Sequence, residues 1–225
     1  MNDLVVASSP KSIISEGFRT LRTNLQFSIV DSKLRTIAVV SSMQGEGKSF
    51  VSANLACAFA QAGEKVLLVD CDMRRGRLHK IFNISNHNGF SNLLISDIKN
   101  YDSYVQKTEI KNLSVLPMGA VPPNPAELLA SSKNEKLIEL FKEDYDIIIY
   151  DCVPVTGLTD SLIMSKLVDK TVVVAASKMT PIELLQNTKK SLINVGANLA
   201  GVVFNRVVTE GSIYANKYYG KYYSW

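Results

Sequence analysis

Cysteine is scarce. Three stand in 225 residues, at 57, 71 and 152, and none forms a C-x-x-C pair or a Cys/His spacing suited to a metal. An odd count argues against a disulfide framework and fits a reducing cytosol. Cys71 and Cys152 fall inside motifs described below, where small buried side chains suit them and redox sensitivity is the alternative. No apolar run approaches the ~18 residues needed to cross a bilayer. The opening MNDLVVASSPKS also lacks the basic region and long apolar stretch of a signal peptide. If the protein works at a membrane, another molecule is expected to hold it there. Charge of one sign is not concentrated: 25 Lys and Arg face 21 Asp and Glu, a mild +4 spread along the chain, which gives no footprint for nucleic acid. Repeats and low-complexity linkers are missing too. The reading is one domain over 1–207, with a helical appendage at about 12–28, followed by a tail at 208–225.

What the chain does contain is apolar residues, 46% of the total, in a regular alternation. Short apolar runs at 36–40, 66–70, 113–116, 146–150, 171–176 and 199–204 alternate with helical patterns around 49–62, 133–143, 159–168 and 181–195. Near-continuous apolar strands separated by helices imply an α/β fold: a mostly parallel sheet with helices on both faces. Right-handed crossovers then bring the strand C-termini, and any ligand site, to one edge.

The segment VVSSMQGEGKSF, 39–50, places a glycine-rich loop between the first of these strands and a helix, and includes Gly47, Lys48 and Ser49. Glycines let backbone N–H groups face an anion, the helix N-terminus adds a favourable dipole, Lys48 reaches outer phosphates, and the Ser49 hydroxyl suits Mg²⁺. The pattern is G-x-x-x-x-G-K-[ST] with Ser42 at the first glycine. Two further strands end in carboxylates. VLLVDCDMR carries Asp70 and Asp72, which would share a face if both lay in the strand, or else would cap a turn. DIIIYDCVP carries Asp151. A buried carboxylate is costly alone and compensated beside Mg²⁺ and phosphates. Arg74 is placed to neutralise phosphate charge, or is a surface arginine.

In the first appendage Ile14, Phe18, Leu21 and Leu25 form an apolar stripe, and Glu16, Arg19 and Arg22, spaced by three, face away from it. They are either a solvated face or a contact ridge for another subunit. The tail holds Tyr214, Tyr218, Tyr219, Tyr222 and Tyr223, five of nine tyrosines, and the only tryptophan, interrupted by Lys217, Gly220 and Lys221. It either docks on the domain or presents its hydroxyls.

Together these residues resemble the bacterial tyrosine kinases that act with polysaccharide co-polymerases in capsule and exopolysaccharide synthesis, over nearly the whole chain. Residues 41–49 look like the family's Walker A loop, Asp70-Cys-Asp72-Met-Arg74 like its D-x-D-x-R Walker A′ motif, and 147–151 like its Walker B motif. Glu16-x-x-Arg19-x-x-Arg22 is similar to the motif that joins subunits into a ring, 122–129 to a family loop and helix start, and the tail to an autophosphorylated cluster. Gln44 replaces a usual proline, and Tyr150 with 152–154 departs from the usual Walker B ending.

The resemblance implies an ATP- and Mg²⁺-dependent tyrosine kinase of P-loop NTPase type, phosphorylating its own tail in trans. Gly45, Glu46, Gly47, Lys48, Ser49 and Phe50, with Arg74 and, more weakly, Asn205, would hold the nucleotide. Ser49, Asp72 and, through water, Asp151 would hold Mg²⁺, and Asp70 would accept the phenol proton unless it exchanges roles with Asp72. It further implies a homo-oligomeric ring, a separate transmembrane activator that recruits a cytoplasmic enzyme to the inner membrane face, and a cognate tyrosine phosphatase. The rival is a partition- or septum-placement-type ATPase switch; those relatives carry a lysine where this loop has Met43.

Overall fold

Strands form where β-branched and aliphatic residues are densest. The computed structural model describes residues 3–29 and 33–207; the five tail tyrosines lie outside the described residues. Among the described residues seven strands are present: β1 (Thr36–Ser41), β2 (Val66–Asp70), β3 (Gln106–Lys107), β4 (Leu113–Leu116), β5 (Ile147–Pro154), β6 (Lys170–Ala176) and β7 (Leu199–Asn205). They form one sheet in the order β3-β4-β2-β5-β1-β6-β7, parallel throughout except where β3 meets β4. Every residue of β1, β2 and β6 is buried, as a sheet covered on both faces requires.

One face packs Val40, Val69, Ile148, Tyr150 and Val173 against helices α5 (Phe90–Ile95), α7 (Ser132–Asp144) and α8 (Asp160–Leu167). The other packs Ile37, Val39, Leu68, Ile149 and Val172 against α3 (Lys48–Gln61) and α2 (Ile13–Phe27). Helix α3, KSFVSANLACAFAQ, is buried almost all round because α2 and the short α1 (Val5–Ser8) cover its outer side. Small alanines let the layers approach. The other helices among the described residues are α4 (Leu78–Ile81), α6 (Pro125–Leu129) and α9 (Ile182–Asn194), with a 3₁₀ segment at Ile98–Tyr104. The chain leaves β1 toward β2 on one side and leaves β5 toward β6 on the other, so a crevice opens outside the C-terminal ends of β1 and β5.

Three expectations change. Strand β2 ends at Asp70, so Asp72 lies in the turn beyond it and the shared-face argument does not apply. Strand β5 runs on to Pro154, placing Asp151 inside the strand rather than at its end. On α2, Phe18 and Leu25 are buried but Ile14 is 54% exposed; Ser15 takes the inward position, its hydroxyl donating to the Ser9 carbonyl at 2.7 Å.

Candidate active site

The loop between β1 and α3 is shaped by its own side chains. The Ser41 hydroxyl donates to the Met43 carbonyl at 2.9 Å, and the Met43 N–H donates to Glu46 Oε2 at 2.7 Å. Glu46 is fully buried, and its other oxygen accepts from the Thr180 hydroxyl, ahead of α9. The Ser42 hydroxyl, where the motif has glycine, accepts from Thr188 of α9 at 3.0 Å. Gly45 and Gly47 have φ of +89° and +92°, a region that favours glycine. Asn205, at the end of β7, donates to the Glu46 carbonyl at 2.9 Å, and its amide would sit 2.0 Å from a Cβ at residue 47. The loop is therefore braced from β6–α9 and from β7 with its backbone turned outward. Helix geometry leaves the first N–H groups of α3 without intrahelical partners, facing the crevice with Lys48 and Ser49.

Three carboxylates meet there. Asp70 and Asp151 are register partners on adjacent strands. Asp151 is 1% exposed; Oδ1 accepts from Ser52 at 3.1 Å, and Oδ2 is buried with no partner that meets hydrogen-bond geometry among the described residues. Burial pushes its carboxyl above the usual range, while the Lys48 charge and the Ser49 and Ser52 hydroxyls pull it down. Asp70 accepts from the N–H groups of Asp72 at 3.3 Å and Leu78 at 3.1 Å. Burial first, then the charge of Asp151, holds its carboxyl well above the ordinary range. Gly76 permits this fold-back, since a Cβ there would lie 2.6 Å from the Asp70 carboxylate. Asp72 Oδ1 accepts from the N–H groups of Arg74 at 3.2 Å and Arg75 at 2.8 Å, so it caps the turn as well as standing beside the other two acids.

Arg74 is held from the other side. Its guanidinium donates to both oxygens of Asp160, at 3.2 and 3.4 Å. Asp160 is 2% exposed on its side chain and Arg74 42%. Sequence reasoning missed Asp160, Ser52 and Thr180. An acid in the first turn of a helix reads as dipole compensation, a serine inside a helix as filler, and a threonine before proline as a helix start. Phe50 turns its ring onto Phe18 of α2, edge to face with centroids 5.9 Å apart, so only its backbone is at hand for a ligand. Of the ridge on α2, Glu16 and Arg19 pair at 2.8 Å on the surface, but Arg22 is half-buried and donates to the Ala58 carbonyl at 2.8 Å. It closes an open carbonyl in the last turn of α3 instead of pointing outward.

A glycine cradle, a lysine, a hydroxyl and a buried carboxylate oxygen with no partner fit a magnesium nucleotide. The fold and this loop define a P-loop NTPase-type nucleotide-binding domain; the family model for the AAA domain matches residues 34–199. The putative tyrosine-protein kinase CapB of Staphylococcus aureus is 35% identical over 221 residues, covering 98% of this chain and 96% of CapB. The tyrosine-protein kinase YwqD of Bacillus subtilis is 36% identical, covering 97% and 91%. The crystal structure of the chimerical protein CapA2B2 superposes with a TM-score of 0.87 at 40% identity, covering 92% and 91%. The chain belongs to the bacterial tyrosine-protein kinases and is such a kinase.

Proposed function

We propose that this kinase transfers the terminal phosphoryl group of ATP to Tyr214, Tyr218, Tyr219, Tyr222 and Tyr223 of a neighbouring copy's tail, and that it regulates capsular or exopolysaccharide synthesis and export. The observation that carries the reading is the buried Asp151 carboxylate beside Lys48, Ser49 and the glycine loop, its Oδ2 without a partner that meets hydrogen-bond geometry among the described residues. Backbone N–H groups of 45–49 and the Lys48 ammonium hold the phosphates. Ser49, Asp72 and Asp151 are the residues that would hold Mg²⁺, which supplies charge neutralisation on the transferring group. Asp70 accepts the phenol proton, a role its raised affinity for protons suits. Arg74, fixed by Asp160, adds positive charge at the same edge. Positioning and charge stabilisation, with no covalent intermediate, carry the rate.

Among the described residues no helix is long and apolar enough to cross a membrane, and the family resemblance points to a transmembrane activator, a ring of subunits joined through the exposed Glu16 and Arg19 of α2, and a cognate phosphatase as partners. The ATPase-switch alternative is disfavoured by Met43, whose backbone folds the loop and whose side chain carries no charge to lend across a dimer. Incubation of the full chain with Mg·ATP and an activator fragment, followed by intact mass measurement, tests the reading. Successive phosphoryl additions confined to the tail and lost in Lys48→Met are expected. ADP release without additions would overturn it.

A further inference from the structure

On the flank of the sheet opposite α2 and α3, a groove of about 780 Å³ runs between α7, α8 and residues 97–98. Its apolar floor includes Ile98, Leu140 and Leu167, and Glu135, Glu139 and Glu143 line its rim at successive turns of α7. Lys136 lies on the same rim and Lys142 pairs with Glu139 at 2.8 Å, yet carboxylates outnumber ammonium groups along the groove. The groove belongs to none of the phosphate-site residues.

We propose that this groove docks the chain's own tail, residues 208–225, on the same subunit while its tyrosines are unphosphorylated. Charge and spacing select that occupant. Lys217 and Lys221 bracket Tyr218 and Tyr219. Four residues of extended chain put the two ammonium groups about 13 Å apart. Eight residues of helix put Glu135 and Glu143 about 12 Å apart, so the lysines meet the two ends of the rim and Tyr219, on their side of an extended segment, covers the apolar floor. Reach is sufficient: Lys217 is the tenth residue after Val207, giving about 34 Å of chain, and two helix widths of about 10 Å each separate β7 from the groove on this face. Each phosphotyrosine adds about −1.5 to −2 charge, which the glutamates repel, so a tail phosphorylated at a neighbour's site does not return to the groove. That exclusion rests on the proposed function above; the docking does not.

Trp225, the only tryptophan, makes the test direct, because its emission reports the tail alone. In the dephosphorylated full chain without ATP, Trp225 anisotropy exceeds that of the free tail peptide and does not change with protein concentration. Substituting Glu139→Gln and Glu143→Gln, both exposed, weakens the contact about 5-fold or more, and high salt does the same. Carbodiimide couples Lys217 or Lys221 to α7 glutamates within one chain in a mixture of isotopically light and heavy protein. Anisotropy indifferent to both the variant and salt, or coupling only between chains, overturns the proposal. A chain that passes these tests but adds no phosphoryl groups keeps the docking site and loses the proposed function.

Discussion

A carboxylate held at 1% exposure, with one oxygen lacking a hydrogen-bond partner among the described residues, raises the free energy of the fold until a proton or a further cation meets it. Asp151 is in that position, and its raised proton affinity sets a sign. The folded state binds this proton more tightly than the unfolded chain, so the contribution to stability is best at low pH and declines as pH rises through the elevated folded value. Asp151→Asn is therefore expected to raise the Tm of the ligand-free protein near neutrality, and to remove both phosphorylation and the stabilisation by Mg·ADP. Thermal unfolding across pH, variant against parent, checks it; equal curves contradict it. Asp160 acts one step further out. With its carboxylate gone, Arg74 keeps its charge but loses its anchor, so Asp160→Asn should lower the transfer rate about tenfold with little change in KM for ATP. Adding Arg74→Gln should then cost little more, because the two act as one unit. Additive losses in steady-state kinetics would separate them.

Elements differ in how openly the chain declares them. The buried strands read directly, since strands covered on both faces are continuous apolar runs: 66–70 and 113–116 coincide with β2 and β4, and the others agree within a few residues at each end. The Ser12 side chain caps α2 by accepting from the Ser15 N–H at 3.1 Å, so its start was visible. Helices α1, α4 and α5 span four to six residues each, too short for a periodic signal, and exist because the core props them. The same reason explains the two-residue β3. Helix α2 depends on Phe18, wedged against Phe50 of α3, and Phe18→Ala should cost about 3–5 kcal/mol in denaturant unfolding. Strand β7 acts through its last residue. Asn205→Ala removes the brace on the Glu46 carbonyl, costing about 1 kcal/mol and raising KM for ATP several-fold at unchanged kcat. An unchanged KM would show that the loop holds its shape without it.

For the molecule as a whole, phosphorylation of several tail tyrosines is expected to shift a ring toward single subunits, because like charges accumulate where the acidic site would receive the tail. Native mass measurement before and after Mg·ATP reads this, and an unaltered oligomer distribution would refute it. The glycine loop, Lys48, Ser49 and the three aspartates stood out in the sequence because phosphate binding favours particular residue types at short spacing in and just after buried strands, although only the structure put Asp72 in a turn and Asp151 within its strand. Local sequence also determined the alternation of strand and helix, since a parallel sheet needs both. Which strands are neighbours was decided only by the three-dimensional packing, and that is what sets Asp70 beside Asp151, gives Arg74 to Asp160, turns Arg22 onto α3 and locks Glu46 against Thr180. Those pairings join residues 36 to 134 positions apart. No periodicity within a single element records them, because each is a contact between elements that only packing brings together.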